Sequence, residues 1–228
     1  MHGTLTPERA ASLAAVRHGF DLYFDSGDAI KAGNLAIPLR PEAVWGHLAD
    51  LDCIASVLGN RETHVVEAAF RAKLAGHRHP VLCGNLREKD GTRPLPRTLE
   101  LEIGGLRIGV LSVMVPMVTE RMKTQAASRY LWDPPIATAA ELAEELRPRV
   151  DLLIALTHIG HRQDRELAAQ VPAIDVILGG HSHTVLETPE RVGDTWIAQG
   201  GSHCRFRGEY RWDGRVLEGG LRSIDEPL

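Results

Sequence analysis

Asp, Asn and His each close a separate apolar run in this sequence. Asp28 follows the run 21–24 through the tight stretch Asp25-Ser26-Gly27, and Asn60 follows the run 53–58 through Gly59. His158 ends the continuous apolar stretch that begins near 151, and His181 and His183 follow the run 175–178 through Gly179-Gly180. These residue types form a metal-ligand set: Asp bridges two cations through its two oxygens, Asn offers a neutral carbonyl, and imidazole suits Zn, Mn, Fe, Co or Ni. A mixed nitrogen and oxygen set drawn from several strands fits a two-metal site better than a closed, Cys-rich structural zinc. Two neighbouring cations clamp both sides of an in-line attack on phosphorus. Taken singly, each residue has a plainer reading as a turn, a cap or a surface His. Their shared position at strand ends, where open α/β sheets place ligand sites, favours the site.

The elements that must deliver these residues can be read from the pattern. Thr6 with Pro7 starts a helix and Gly19 lies where it would end. Residues 42–51 and 63–74 have helical periodicity, as do 135–146, stopped by Pro148, and 163–170. Strands are expected at 21–24, 53–58, 80–83, 151–156 and 175–178. Residues 99–103 and 106–113 around Gly104-Gly105 read as a hairpin, and the tail from Thr195 reads as strands with a turn at Asp213-Gly214. Strands alternating with helices imply an α/β fold with antiparallel additions late in the chain.

Composition narrows the classes. The 228 residues are 43% hydrophobic and 25% charged, which excludes a disordered or collagen-like chain. Twenty-six Lys and Arg against 30 Asp and Glu give a net charge of −4, so binding of nucleic acid by bulk positive charge is not expected. The three cysteines, Cys53, Cys83 and Cys204, form no CxxC pair and read as reduced, buried thiols. No apolar stretch is long enough to span a bilayer and no basic-then-apolar leader is visible, so a cytoplasmic location without membrane attachment is expected. No linker or repeat divides the chain, and a single domain over 1–228 is expected.

The segments FDSGDAI (24–30), LGNRETH (58–64), LTHIGHRQD (156–164) and IDVILGGHSHT (174–184) resemble the calcineurin-like metallophosphoesterase superfamily, and within it the catalytic domain of the 5′-nucleotidase and UDP-sugar hydrolase group. CGN at 83–85, GGLRIGVLSV at 104–113 and YLWDPP at 130–135 extend the likeness over essentially the whole chain. The resemblance implies a four-layer α/β/β/α sandwich with mixed sheets. It also implies a metal-dependent phosphoester hydrolase with two divalent cations (Mn, Fe, Zn, Co or Ni) and a small phosphorylated substrate. Asp28 would bridge both cations, Asn60, His158 and His181 would complete one site, and His183 with His2 would serve the other.

Two departures from the family pattern stand out. Met1-His2-Gly3 supplies only the last three positions of the opening Asp-x-His-Gly, so the family's first strand and its Asp are expected upstream of Met1. The family's Gly-Asn-His-Glu is Gly59-Asn60-Arg61-Glu62 here. Arg61 can hold phosphate charge but cannot donate a proton near neutrality, whereas His64 has the chemistry of a general acid. An Arg at this place also resembles the lipid-A-precursor pyrophosphohydrolases of the same superfamily. The 5′-nucleotidase group's second, C-terminal domain is not expected within these residues. The alternative reading is a non-catalytic scaffold on the same fold. His77, His79, His161 and His203 are expected at the surface or behind the ligands; the late turn GGSHC that carries His203 could border the site, but His203 is not counted among the site residues.

Overall fold

A computed structural model describes residues 1–225. Helix α1 (Pro7–Arg17) starts where expected, with the Thr6 side chain accepting a hydrogen bond from Arg9 N at 3.4 Å. In chain order there follow β1 (Phe24–Asp25), α2 (Ala43–Asp50), β2 (Ala55–Val57), α3 (Glu67–Leu74), β3 (Val81–Leu82), β4 (Leu86–Glu88), β5 (Thr98–Ile103), β6 (Leu106–Met114) and β7 (Tyr130–Trp132). The second half holds α4 (Pro135–Leu146), β8 (Leu152–His158), α5 (His161–Gln170), β9 (Val176–Gly179), β10 (Glu190–Val192), β11 (Thr195–Gln199), β12 (Phe206–Trp212) and β13 (Leu217–Ser223).

The large sheet runs β10-β11-β9-β8-β6-β5, with its four central strands parallel and both outer strands antiparallel. Strand β8 is buried along its whole length, which is why its sequence is an unbroken apolar run rather than an alternating one. Its side chains serve two cores. Leu153 and Ala155 join Leu142 and Leu146 of α4 and Leu167 of α5, while Leu152, Ile154 and Leu156 join the core shared with β2, β3, α2 and α3. A parallel sheet β1-β2-β3 lies on that second side. The hairpins β4–β7 and β12–β13 are separate two-stranded units. The fold is mixed α/β with several sheets, in the layering the resemblance implied.

Local differences have local causes. Helix α3 begins at Glu67 rather than 63, because Thr63 Oγ1 donates to Asn60 O and His64 Nδ1 accepts from Val66 N. Residues 63–66 are thereby held in the turn that carries Asn60. The first strand is shifted to Phe24–Asp25, and β4, β7 and β10 were not foreseen, each being only three residues long and too short to show a period of two. His79 is not at the surface: it is buried, with Nε2 2.8 Å from Ser56 Oγ. Cys53, Cys83 and Cys204 are buried free thiols, as expected. No helix among the described residues is long and apolar enough to cross a membrane.

Candidate metal centre at the strand ends

The carboxyl ends of β1, β2, β8 and β9 converge, and they bring the expected residues together. His158 Nε2 lies 3.5 Å from Asp28 Oδ1 and 3.2 Å from Asn60 Oδ1. His181 Nδ1 lies 3.0 Å from the same Asn60 oxygen. On the other side of Asp28, His2 Nε2 stands 3.5 Å from Oδ2, and the His2 and His183 rings are 4.7 Å apart between centroids. Asp28 thus has one oxygen facing each group of histidines.

The backbone is bent to achieve this. Seven non-glycine residues among those described have positive φ, and five of them are His2, Asp28, His181, His183 and His203. Such conformations cost about 1–3 kcal/mol each and persist where the surroundings over-determine them. Two glycines allow the turns to approach one another. A Cβ on Gly59 would collide with the Asp28 backbone N, and one on Gly180 would collide with Ser26 O.

Several residues that sequence reasoning did not single out hold these turns. Glu62 is buried and accepts from Gly59 N at 3.0 Å, Asp28 N at 3.0 Å and Ile30 N at 3.1 Å, locking the Asp28 turn to the Asn60 turn. Buried Lys73 donates to Gly33 O at 2.7 Å, Asn34 O at 3.1 Å and Arg61 O at 2.6 Å. Asn34 in turn accepts from Asn60 Nδ2 at 3.0 Å, which leaves Asn60 Oδ1 facing the histidines. The turn 181–183 is tied to a chain of buried polar groups: Ser182 Oγ, at the surface, donates to Gln199 Oε1 at 3.0 Å, Gln199 Nε2 donates to Asp164 Oδ2 at 2.6 Å, and Thr157 Oγ1 donates to Asp164 Oδ1 at 2.6 Å. Glu62 and Asp164 are the last residues of Gly59-Asn60-Arg61-Glu62 and of the segment 156–164, so the signal that could have found them was their place inside the motifs.

His203, not counted among the site residues on sequence grounds, has its ring 4.5 Å from that of His2. Arg61 N donates to Asp28 Oδ1 at 2.8 Å and its Nη1 to Lys31 O at 2.8 Å, placing the guanidinium at the rim. His64 lies in the following turn with Nδ1 occupied as an acceptor from Val66 N. His161 stands outside the cluster, paired with Glu190 at 2.6 Å.

Electrostatics favour cation binding at this place. Burial works to raise the Asp28 carboxyl, but the hydrogen bond and charge of His158, with the Arg61 N–H, outweigh it and hold the group well below the usual carboxylate range. Burial depresses His2 to about 4, and it lowers His181 and His183. Burial also works to lower His158, but its contact with Asp28 raises it overall. The Glu62 carboxyl is raised, first by burial and then by the Asp28 charge.

Among the described residues, no three His, Cys, Asp or Glu side chains form a group set to hold a metal ion as they stand. The donor chemistry nevertheless fits a divalent cation. The ionised Asp28 carboxylate, the Asn60 amide oxygen and the imidazoles of His2, His181 and His183, which burial biases toward the neutral form, suit one, and a cation would replace the proton that Asp28 favours on His158. His158 Nδ1 donates to Ser26 O at 2.7 Å, the kind of outer contact that fixes a ring so that Nε2 faces the cation site.

No family model matches the sequence. The chain is 27% identical over 199 residues to the uncharacterized metallophosphoesterase YunD of Bacillus subtilis, covering 82% of this chain and 41% of that protein. It is 26% identical over 177 residues to an apyrase of Aedes aegypti, covering 74% of this chain and 31% of that one. The chain therefore spans less than half the length of these curated relatives. A putative 5′-nucleotidase from Staphylococcus aureus superposes with a TM-score of 0.78 at 17% identity, over 97% of this chain and 49% of that one. The calcineurin-like phosphoesterase YfkN from Bacillus subtilis superposes with a TM-score of 0.73 at 17% identity, over 95% and 81%. The chain has the fold of 5′-nucleotidases and calcineurin-like phosphoesterases, and its relatives are hydrolases acting on phosphoric esters, as the motifs implied.

Proposed function

We propose that this protein is a metal-dependent phosphoester hydrolase with two divalent cations at the strand-end cluster, acting on a small phosphorylated substrate. The observation that carries the reading is Asp28: one carboxylate oxygen faces His158 and the other faces His2, so one group joins two sets of donors. Asp28, Asn60, His158 and His181 would hold one cation, and Asp28, His2 and His183 the other. Bound there, the cations would polarise the phosphoryl group and lower the pKa of water.

The chain's own residues do the remaining work. Glu62 and Lys73 keep the two ligand turns in register before substrate arrives, so little reorganisation is needed at the moment of reaction. Arg61, at the rim, meets the charge that develops on the phosphoryl oxygens and can do so through two parallel N–H bonds. With His64 Nδ1 accepting from Val66 N, Nε2 is the ring atom left to meet a substrate; protonating a poor leaving group from it would take the imidazolium form, which gives up the Val66 contact. The apyrase and 5′-nucleotidase names of the relatives and of the structural neighbours favour a nucleotide or similar phosphate ester.

The test is a panel of phosphate monoesters, diesters and pyrophosphates assayed with Mn, Ni, Co, Zn and Mg. Metal-dependent turnover of at least one class is expected. Absence of metal-dependent hydrolysis across the panel, with a folded protein that takes up no metal, would support the scaffold reading instead.

A further inference from the structure

Three imidazoles from separate parts of the chain share one corner of the metal centre. His2 lies in the opening turn, His183 beyond β9, and His203 in the turn between β11 and β12. Their ring centroids are 4.5 Å apart for His2 and His203, 4.7 Å for His2 and His183, and 6.0 Å for His183 and His203. The corner lies on the side of Asp28 where Oδ2 faces His2.

The turn that carries His203 is held in place from outside itself. His203 and Cys204 both have positive φ, 60° and 53°, so the backbone turns sharply between an exposed ring and a thiol buried in the core. Successive left-handed residues other than glycine are strained and persist only where their surroundings enforce them. Arg9 of α1 supplies part of that enforcement. Its Nη1 donates to His203 O at 3.1 Å and to Thr4 O at 3.2 Å, while Nε and Nη2 donate to the Asp225 carboxylate at 2.9 Å and 2.8 Å. One guanidinium therefore ties the His203 turn to the segment that carries His2. His203 Nδ1 is taken up by Ser202 Oγ at 2.9 Å, which leaves Nε2 as the ring atom for a ligand.

The spacing of the rings suits a shared cation. A metal–nitrogen bond of about 2.0–2.1 Å places the ring centre about 3.2 Å from the cation, so two imidazoles on one cation have centroids about 4.5 Å apart at a right angle and about 5.2 Å apart at the tetrahedral angle. The 4.5 Å and 4.7 Å spacings of His2 already lie in this range. The 6.0 Å between His183 and His203 exceeds it by about 0.8 Å, a distance that a rotamer change of the exposed His203 side chain covers.

We propose that His203 is a further ligand of the second cation, completing a set with Asp28, His2 and His183, an assignment that rests on the two-cation reading of the cluster. It adds a donor that none of the ligand motifs contains. Because the ring is exposed and moves inward to bind, His203 strengthens this site without making it the tighter of the two.

The test titrates the metal-free full chain with Zn²⁺ while the imidazole nitrogen resonances are followed by NMR. Calorimetry is run in parallel on the chain, on His203→Ala and on His18→Ala, which removes an exposed histidine at the end of α1. The His203 Nε2 resonance should move together with those of His2 and His183, in the weaker event. His203→Ala should weaken that event at least tenfold and leave the tighter one unchanged. His18→Ala should match the parent in both. Movement of the His2 and His183 resonances without that of His203 would overturn the proposal and leave the two-cation reading standing, as would a second event of parental affinity in folded His203→Ala. No response of any cluster histidine to Zn²⁺ would overturn both. If His203→Ala does not fold, the His203 resonance in the parent chain decides alone.

Discussion

Asn60 Oδ1 stands 3.0 Å from His181 Nδ1, although 121 positions separate the two residues. The amide has no freedom to turn away, because its nitrogen donates to Asn34 Oδ1 at 3.0 Å. One neutral oxygen from the β2 end and one imidazole from the β9 end are thus aimed at a common point, and His158 from the β8 end reaches the same oxygen at 3.2 Å.

Two cations should bind with unequal affinity. Asp28, Asn60, His158 and His181 offer four side-chain donors to one, whereas Asp28, His2 and His183 offer three to the other. Calorimetric titration of the metal-free protein with Mn²⁺ should resolve a tighter and a weaker event. His2→Ala should weaken only the second, by about tenfold or more, as losses of metal-site groups generally do. A single event unaffected by His2→Ala would remove His2 from the ligand set.

Arg61→Ala should cut turnover about 10²-fold, the scale expected for loss of a donor to developing negative charge, while metal content stays near wild type. Metal analysis and kinetics on one sample separate the effects, and a parallel loss of both would make Arg61 structural. His64→Ala should slow esters with poor leaving groups most. A uniform loss across leaving groups would trace instead to the lost acceptor for Val66 N.

Gln199→Leu should loosen the turn 181–183. Substitution strips buried Asp164 Oδ2 of its donor, and a buried polar group left unpaired costs about 1–3 kcal/mol, while Ser182 Oγ loses one contact and keeps those to Thr184 Oγ1 and His161 N. Asp164 is already strained toward its protonated form, raised to about 6 by burial, so losing a donor should raise it further. Chemical denaturation should show the stability loss, and metal affinity should fall with it. Unchanged metal affinity would mean that the relay serves folding alone.

His79 should make stability depend on acid. Burial and then the neighbouring His77 depress it to about 4, below the ordinary 6.5, so the folded state favours the neutral ring. The stabilisation is full above pH 6.5 and is lost as pH falls through about 4, a swing on the order of 3 kcal/mol. His79→Gln, which can keep the Ser56 contact, should flatten that part of the stability profile. An unchanged profile would place the acid sensitivity elsewhere.

Much of this was legible from residue order. The Thr6-Pro7 start, the Gly104-Gly105 hairpin and the continuous apolar run of β8 each carry a local signal, and all are present. Asp28, Asn60, His181 and His183 were legible because each follows an apolar run through a tight turn, and His158 because it ends one; these chain segments do meet, whereas His2 came only from the resemblance. What was not legible acts at long range. Lys73 lies on a helix whose pattern only says buried or exposed, and its role comes from carbonyls 12 to 40 positions away. Glu62 similarly gains its meaning from the Asp28 turn, which is 34 positions earlier.

The most direct test of the central claim is the rate of phosphoester hydrolysis by metal-free protein as Mn²⁺ is added, for the chain and for Asp28→Asn, with p-nitrophenyl phosphate and bis(p-nitrophenyl) phosphate as substrates. The account predicts a saturable rise with metal for at least one substrate, and a drop of at least 10²-fold in the folded variant, whose amide lacks the charge to join two cations. Equal rates with and without metal, or an Asp28→Asn variant as active as the parent, would contradict it.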